Sequence, residues 1–186
     1  ANRLTPSRRC ETRRGVNLTS TGSNDPSRVA LARLMMSGLC VDTETMVTEA
    51  LDASVRETFD MMIGKPIDHV ATRAMESFPV LKKSLQVPDE QVTVVVGLSG
   101  LLQGSVSVCV DEQVALSWTR DLIQHETEEI DQVVVDAIGE LGNMVVGGAK
   151  GRLSDFQLKL GLPCVLLTGK SHLAFPTNCQ PFELEY

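Results

Sequence analysis

A carboxylate and a carboxamide three residues apart, Glu140 and Asn143, stand in the stretch GELGNMVVGGAKGR (139–152), interleaved with Gly139, Gly142, Gly147 and Gly148. Three residues make nearly one turn of an α-helix, so on a helix both side chains emerge on one face. A carboxylate can grip a cation, and a carboxamide, being both donor and acceptor, can orient a water molecule for attack. The stretch carries no histidine base, nucleophile or metal-ligand pattern, so this chemistry needs a second protein to complete the site. Asp136, Gly147 and Lys150 reach the same face by three- and four-residue steps and are the candidate partner contacts. Each glycine in a helix interior costs roughly 1 kcal/mol relative to alanine. Two uses would justify them: close packing on a neighbouring helix, with Glu140 and Asn143 simply solvated, or close approach of a partner's surface.

The elements that must position this pair are legible as periodicities. A helix is expected from near Thr127, with Glu128, Glu129 and Asp131 favourably placed at the positive end of its dipole. Its inward stripe is Ile130, Val134, Ala137, Ile138, Leu141, Val145 and Gly148. Earlier in the chain, Val47, Leu51, Val55, Phe59, Met62 and Ile63 predict a helix over 46–63, closed by Gly64 with Pro66 beyond. The stretch QVTVVVGLSGLLQGSVSVCV reads as strands at about 92–98 and 103–110 around a Gly/Ser turn. An Asp111-led helix runs to about Gln124, and CVLLTGK and QPFELEY are strand-like.

Overlaying the two long helices with a shift of 83 residues sets ETFDMMIG (57–64) on ELGNMVVG (140–147). Glu57 then matches Glu140, and Asp60 matches Asn143. An 83-residue unit of helix followed by strands accounts for the chain from Met46. The second unit runs out of residues, so its last strand, after Tyr186, is expected to be missing or supplied otherwise. The expected fold is therefore α+β: two pseudo-repeated helix-plus-strand halves, with long helices packed on a mainly antiparallel sheet. Residues 1–45 are expected to form an N-terminal extension, disordered over its Ser-, Thr- and Arg-rich first 28 residues, and 46–186 the domain.

Composition removes several function classes. The net charge is −7, and from Met46 onward ten basic residues face twenty acidic ones, a balance that repels nucleic acid and anionic membranes. The longest apolar stretch, VALARLMMSGLCV (29–41), is interrupted by Arg33 and falls short of the roughly 20 residues that span a bilayer. Cys10, Cys40, Cys109, Cys164 and Cys179 are odd in number with no CxxC pair, which points to free thiols in a reducing, cytoplasmic setting. His69, His125 and His172 are isolated, so no metal site is expected. The TGKS at 168–171 ends like a phosphate-binding loop, but the required glycine at 164 is Cys164.

The stretch DAIGELGNMVVGGAKGRLSD (136–155), with VVVGLSGLLQGSVSV before it and LPCVLLTGKSH after it, resembles the CheX/CheC family of chemotaxis phosphatases, and the CheX branch in particular. The resemblance spans roughly 46–186 and implies a CheC-like fold. It implies hydrolysis of the aspartyl phosphate of a CheY-like response regulator in two-component signalling. Glu140 would pair with the regulator's lysine, and Asn143 would hold the attacking water. The chain would need no cofactor of its own, since Mg2+ would belong to the regulator. A homodimer formed through sheet edges is also implied. CheC-type relatives carry E-x-x-N in both halves, whereas the first copy here is Glu57 and Asp60. An ionised aspartate cannot donate a hydrogen bond to water, so one working site is expected. The rival expectations are a receiver-binding module that hydrolyses nothing and a structural dimer module.

Overall fold

Valines set the centre of the sheet. Strands β3 (Gln91–Ser99) and β4 (Gly104–Asp111) form the expected hairpin, with Val92, Val94 and Val96 in register with Val110, Val108 and Val106. Cross-strand partners share a face, and all six of these valines are buried on one side. The computed structural model describes residues 31–37, 41–74, 91–168 and 179–186. Its other elements are β1 (Leu31–Ser37), α1 (Val41–Ile63), β2 (Ala71–Ala74), α2 (Glu112–Ile123), α3 (Gln132–Arg152), β5 (Lys159–Leu160), β6 (Cys164–Thr168) and β7 (Cys179–Glu185). A short 3-10 turn, Ser154–Phe156, follows α3.

The strand order is β2-β7-β1-β4-β3, and the far edge of β3 is shared by β5 and β6. Every pairing among these strands is antiparallel. The fold is therefore α+β with an antiparallel sheet, as the periodicities predict. Helix α3 lies on this sheet, and α1 packs on α3 and α2. Phe59 of α1 meets Trp118 of α2 edge-on, ring centroids 4.5 Å apart. Leu51, Phe59, Ile138 and Phe182 are each almost wholly removed from water, and burial of such a side chain stabilises by about 2 kcal/mol. At the end of β7, the buried Tyr186 hydroxyl donates to Asp52 Oδ1 of α1 at 3.1 Å. Burial, reinforced by the Asp52 charge, holds that phenol above its ordinary pKa.

Two expectations need correction, and the place of the last strand is filled from elsewhere in the chain. Ordered structure reaches further upstream than Met46: residues 31–37 are β1, paired with both β4 and β7, and α1 begins at Val41. Residues 31–37 of the apolar stretch around Arg33 thus lie in the sheet, and residues 1–30 and 38–40 of the expected extension lie outside the described residues. The position beside β7, where the repeat demands a strand after Tyr186, is held by β1. Finally, the motif helix starts at Gln132 and not near Thr127. Asp131 Oδ1 caps it by accepting from Val134 N at 2.9 Å, while the Thr127 hydroxyl closes its own turn by donating to Glu129 O at 3.0 Å. Glu128 and Glu129 therefore precede the first turn. Of the six apolar positions expected to be inward on α1, only Met62 is exposed.

Candidate functional site

The first requirement of the site is a helix held at a fixed depth on the sheet, and the glycines supply it. A Cβ at Gly142 would lie 2.7 Å from Val94 Cγ1, and one at Gly139 would lie 3.2 Å from Val165 Cγ2. A Cβ at Gly148 would lie 2.2 Å from Ser54 Oγ of α1. The buried Ser54 hydroxyl donates to Val145 O at 2.6 Å, so α1 and α3 touch where Gly148 has no side chain. Gly147 is different: a Cβ there would meet nothing within 4 Å. Gly139, Gly142 and Gly148 thus serve close packing, whereas Gly147 and Gly151, where a Cβ would meet nothing within 4 Å, leave the helix surface open.

That face carries all five predicted residues. Glu140, Asp136 and Lys150 are exposed, and Asn143 and Gly147 are half-buried. From Asp136 to Lys150 the face runs about 21 Å along the helix axis, and Asn143 lies about 4.5 Å beyond Glu140. Asp136 accepts from Gln132 Nε2 of its own helix at 2.8 Å. Glu140, Asn143 and Lys150 have no side-chain partner among the described residues. An uncommitted carboxylate and carboxamide on a rigid helix can accept a foreign ammonium group and hold a water molecule without first breaking an internal contact. Asp131 secures the N-terminal end of the helix. Val134 N–H, and then the His125 ring at 2.7 Å, hold its carboxyl below the ordinary carboxylate range.

The equivalent pair on α1 is in another state. Glu57 Oε2 accepts from Arg152 Nη2 at the end of α3, and Asp60 is exposed. Periodicity did not reveal Arg152, which lies 95 residues from Glu57 in sequence. Among the described residues no group of three or more His, Cys, Asp or Glu is placed to hold a metal ion. No described helix is long and apolar enough to cross a membrane. Cys109 is buried and Cys164 exposed, both as free thiols. The Gly169–Ser171 part of TGKS lies outside the described residues.

The model of the family described as chemotaxis phosphatase CheX matches residues 92–186, which include β3 from its second residue, β4 and the whole of α3. This chain belongs to the CheX family. Solved structures share the CheX-type fold. A CheC-like superfamily protein from Shewanella sp. PV-4 is 23% identical with a TM-score of 0.58, covering 79% of this chain and 98% of its own. The chemotaxis protein CheX from Desulfovibrio desulfuricans is 20% identical with a TM-score of 0.60, covering 75% and 96%. A chain of the CheX–CheY–BeF3–Mg2+ complex from Borrelia burgdorferi is 18% identical with a TM-score of 0.50, covering 75% and 96%. No curated protein matches in sequence. Membership of the CheX family supports a chemotaxis phosphatase role.

Proposed function

We propose that this protein hydrolyses the aspartyl phosphate of a phosphorylated CheY-like response regulator. Glu140 pairs with the regulator's active-site lysine and thereby seats α3 in its cleft. Asn143 enters that cleft and holds a water molecule in line with the phosphorus. The water oxygen bonds to phosphorus as the bond to the aspartyl oxygen breaks, yielding inorganic phosphate and a free carboxylate. Mg2+ belongs to the regulator, and this chain contributes no cofactor. Positioning and charge stabilisation do most of the work in phosphoryl transfer, so two well-placed side chains suffice.

The observation that carries this reading is that Glu140 and Asn143 have no side-chain partner among the described residues, beside a first copy whose acid is tied to Arg152. A CheX relative in a complex with CheY and Mg2+ supports the same partner class. The test is the decay rate of a phosphorylated receiver domain with and without the protein. Wild type should accelerate decay. Asn143→Ala should lose about a hundredfold in rate while still binding, the typical cost of removing one preorganised donor. Glu140→Ala should instead weaken binding by about tenfold. Equal rates for Asn143→Ala and wild type would refute the mechanism. Binding without acceleration would favour a receiver-docking module.

A further inference from the structure

Beyond Asn143 the motif face opens into a concavity that the proposed chemistry does not use. It encloses about 450 Å³ and is lined by Gly147, Lys150, Gly151, Ser154, Leu158 and Leu160, with Gln157 at its wall. Its wall is a built feature. Leu101 N donates to Phe156 O at 3.0 Å, Gly161 N donates to Gly97 O at 2.8 Å, and Gln157 is held at φ 50° in the left-handed region. A Cβ on Gly100 would lie 2.6 Å from Gln157 O, so the β3–β4 turn is fitted against this loop.

Charge and surface character identify an occupant. Motif-face charge runs from acidic at Asp136 and Glu140 to basic at Lys150, and Lys150 has no partner among the described residues. Lys150 is the one charged residue of the lining, in a chain of net charge −7. Leu101 and Leu162, on the segments bracketing this loop, are 69% and 92% exposed. Exposed leucines beside an apolar floor suit a protein surface better than a small polar ligand.

We infer that this concavity is a second anchor for the receiver domain, taking a turn of the receiver that carries a carboxylate beside an apolar side chain. The inference rests on the proposed function. The receiver is then gripped at both ends of one helix face, its lysine on Glu140 and its carboxylate on Lys150. Asn143 lies between them, about 10 Å of axial rise from Lys150. Lys150 adds a charge contact about 15 Å of axial rise from Glu140, which reinforces the direction in which the receiver lies along α3.

Two full-length variants test this. Lys150→Glu reverses the charge at an exposed position. Gly151→Leu fills the concavity at a site where a Cβ meets nothing within 4 Å, and replacing a helical glycine does not cost stability. Each should lower affinity for a beryllofluoride-activated receiver by about tenfold in titration calorimetry, with thermal unfolding of Gly151→Leu no lower than wild type. Wild-type affinity in both variants would overturn the inference, even with phosphatase activity intact. Loss of affinity in both, in a protein that binds but does not hydrolyse, would keep the anchor and reject the catalytic reading. Failure of wild type to bind any receiver would reject both.

Discussion

At the scale of single residues, the motif helix depends on one carboxylate that takes no part in the chemistry. Asp131 accepts from Val134 N–H and from the His125 ring, and these contacts favour its charged form. The folded pKa therefore lies below the unfolded value of about 3.9. Its contribution to stability is present above the ordinary carboxylate range and is lost as pH falls through the folded value. Asp131→Asn separates cap from charge, because asparagine caps as well as aspartate but does not titrate. Urea unfolding of wild type should weaken more steeply than that of Asp131→Asn as pH falls from about 5 to 3. Parallel curves would mean that the Asp131 charge contributes nothing. Neither the cap's identity nor the His125 contact follows from periodicity, since Thr127 offers an equally acceptable start four residues earlier.

At the scale of elements, the glycines of α3 have separable roles. Gly148→Ala would drive a methyl group to 2.2 Å from Ser54 Oγ, forcing the buried hydroxyl off Val145 O or the helices apart. The expected loss is about 1–3 kcal/mol in chemical denaturation. In a Ser54→Ala background the same change should cost less, a coupling that independent sites would not show. Gly147→Ala meets open space and should gain up to about 1 kcal/mol from helix propensity. Equal losses for the two alanine variants would overturn this division. The two long helices and the β3–β4 hairpin were legible because local periodicity and burial agree along α1, α3 and the valine runs. β1 was not legible. Its apolar run is broken by Arg33, and it exists through long-range pairing with β4 and β7, which no window of neighbouring residues contains. β2 has only four residues and leaves no periodic signal.

At the scale of the molecule, the sheet order β2-β7-β1-β4-β3-β6 reads alike from either end: each long helix is followed by an outer strand, then a middle one, then an inner one. In the second half the inner strand is β1, drawn from upstream of α1, so the repeat legible in sequence closes only with a segment outside its register. This near-symmetry would present two equivalent helix faces to partners, yet the two faces differ in charge state and commitment. On α3 the acid is uncommitted and followed by a carboxamide. On α1 the acid is bonded to Arg152, and the position one turn on is Asp60, which in its ionised form can offer water no donor. The candidate pair was thus readable from residue types, whereas the commitment of Glu57 rests on an ion pair between residues 95 apart in sequence. Restoring the carboxamide alone should therefore fail. In an Asn143→Ala background, Asp60→Asn should add no measurable acceleration of receiver dephosphorylation, because Glu57 remains tied to Arg152. Adding Arg152→Gln frees that carboxylate, and any acceleration should appear only then. Recovery of activity with Asp60→Asn alone would show that the ion pair does not keep the first face silent.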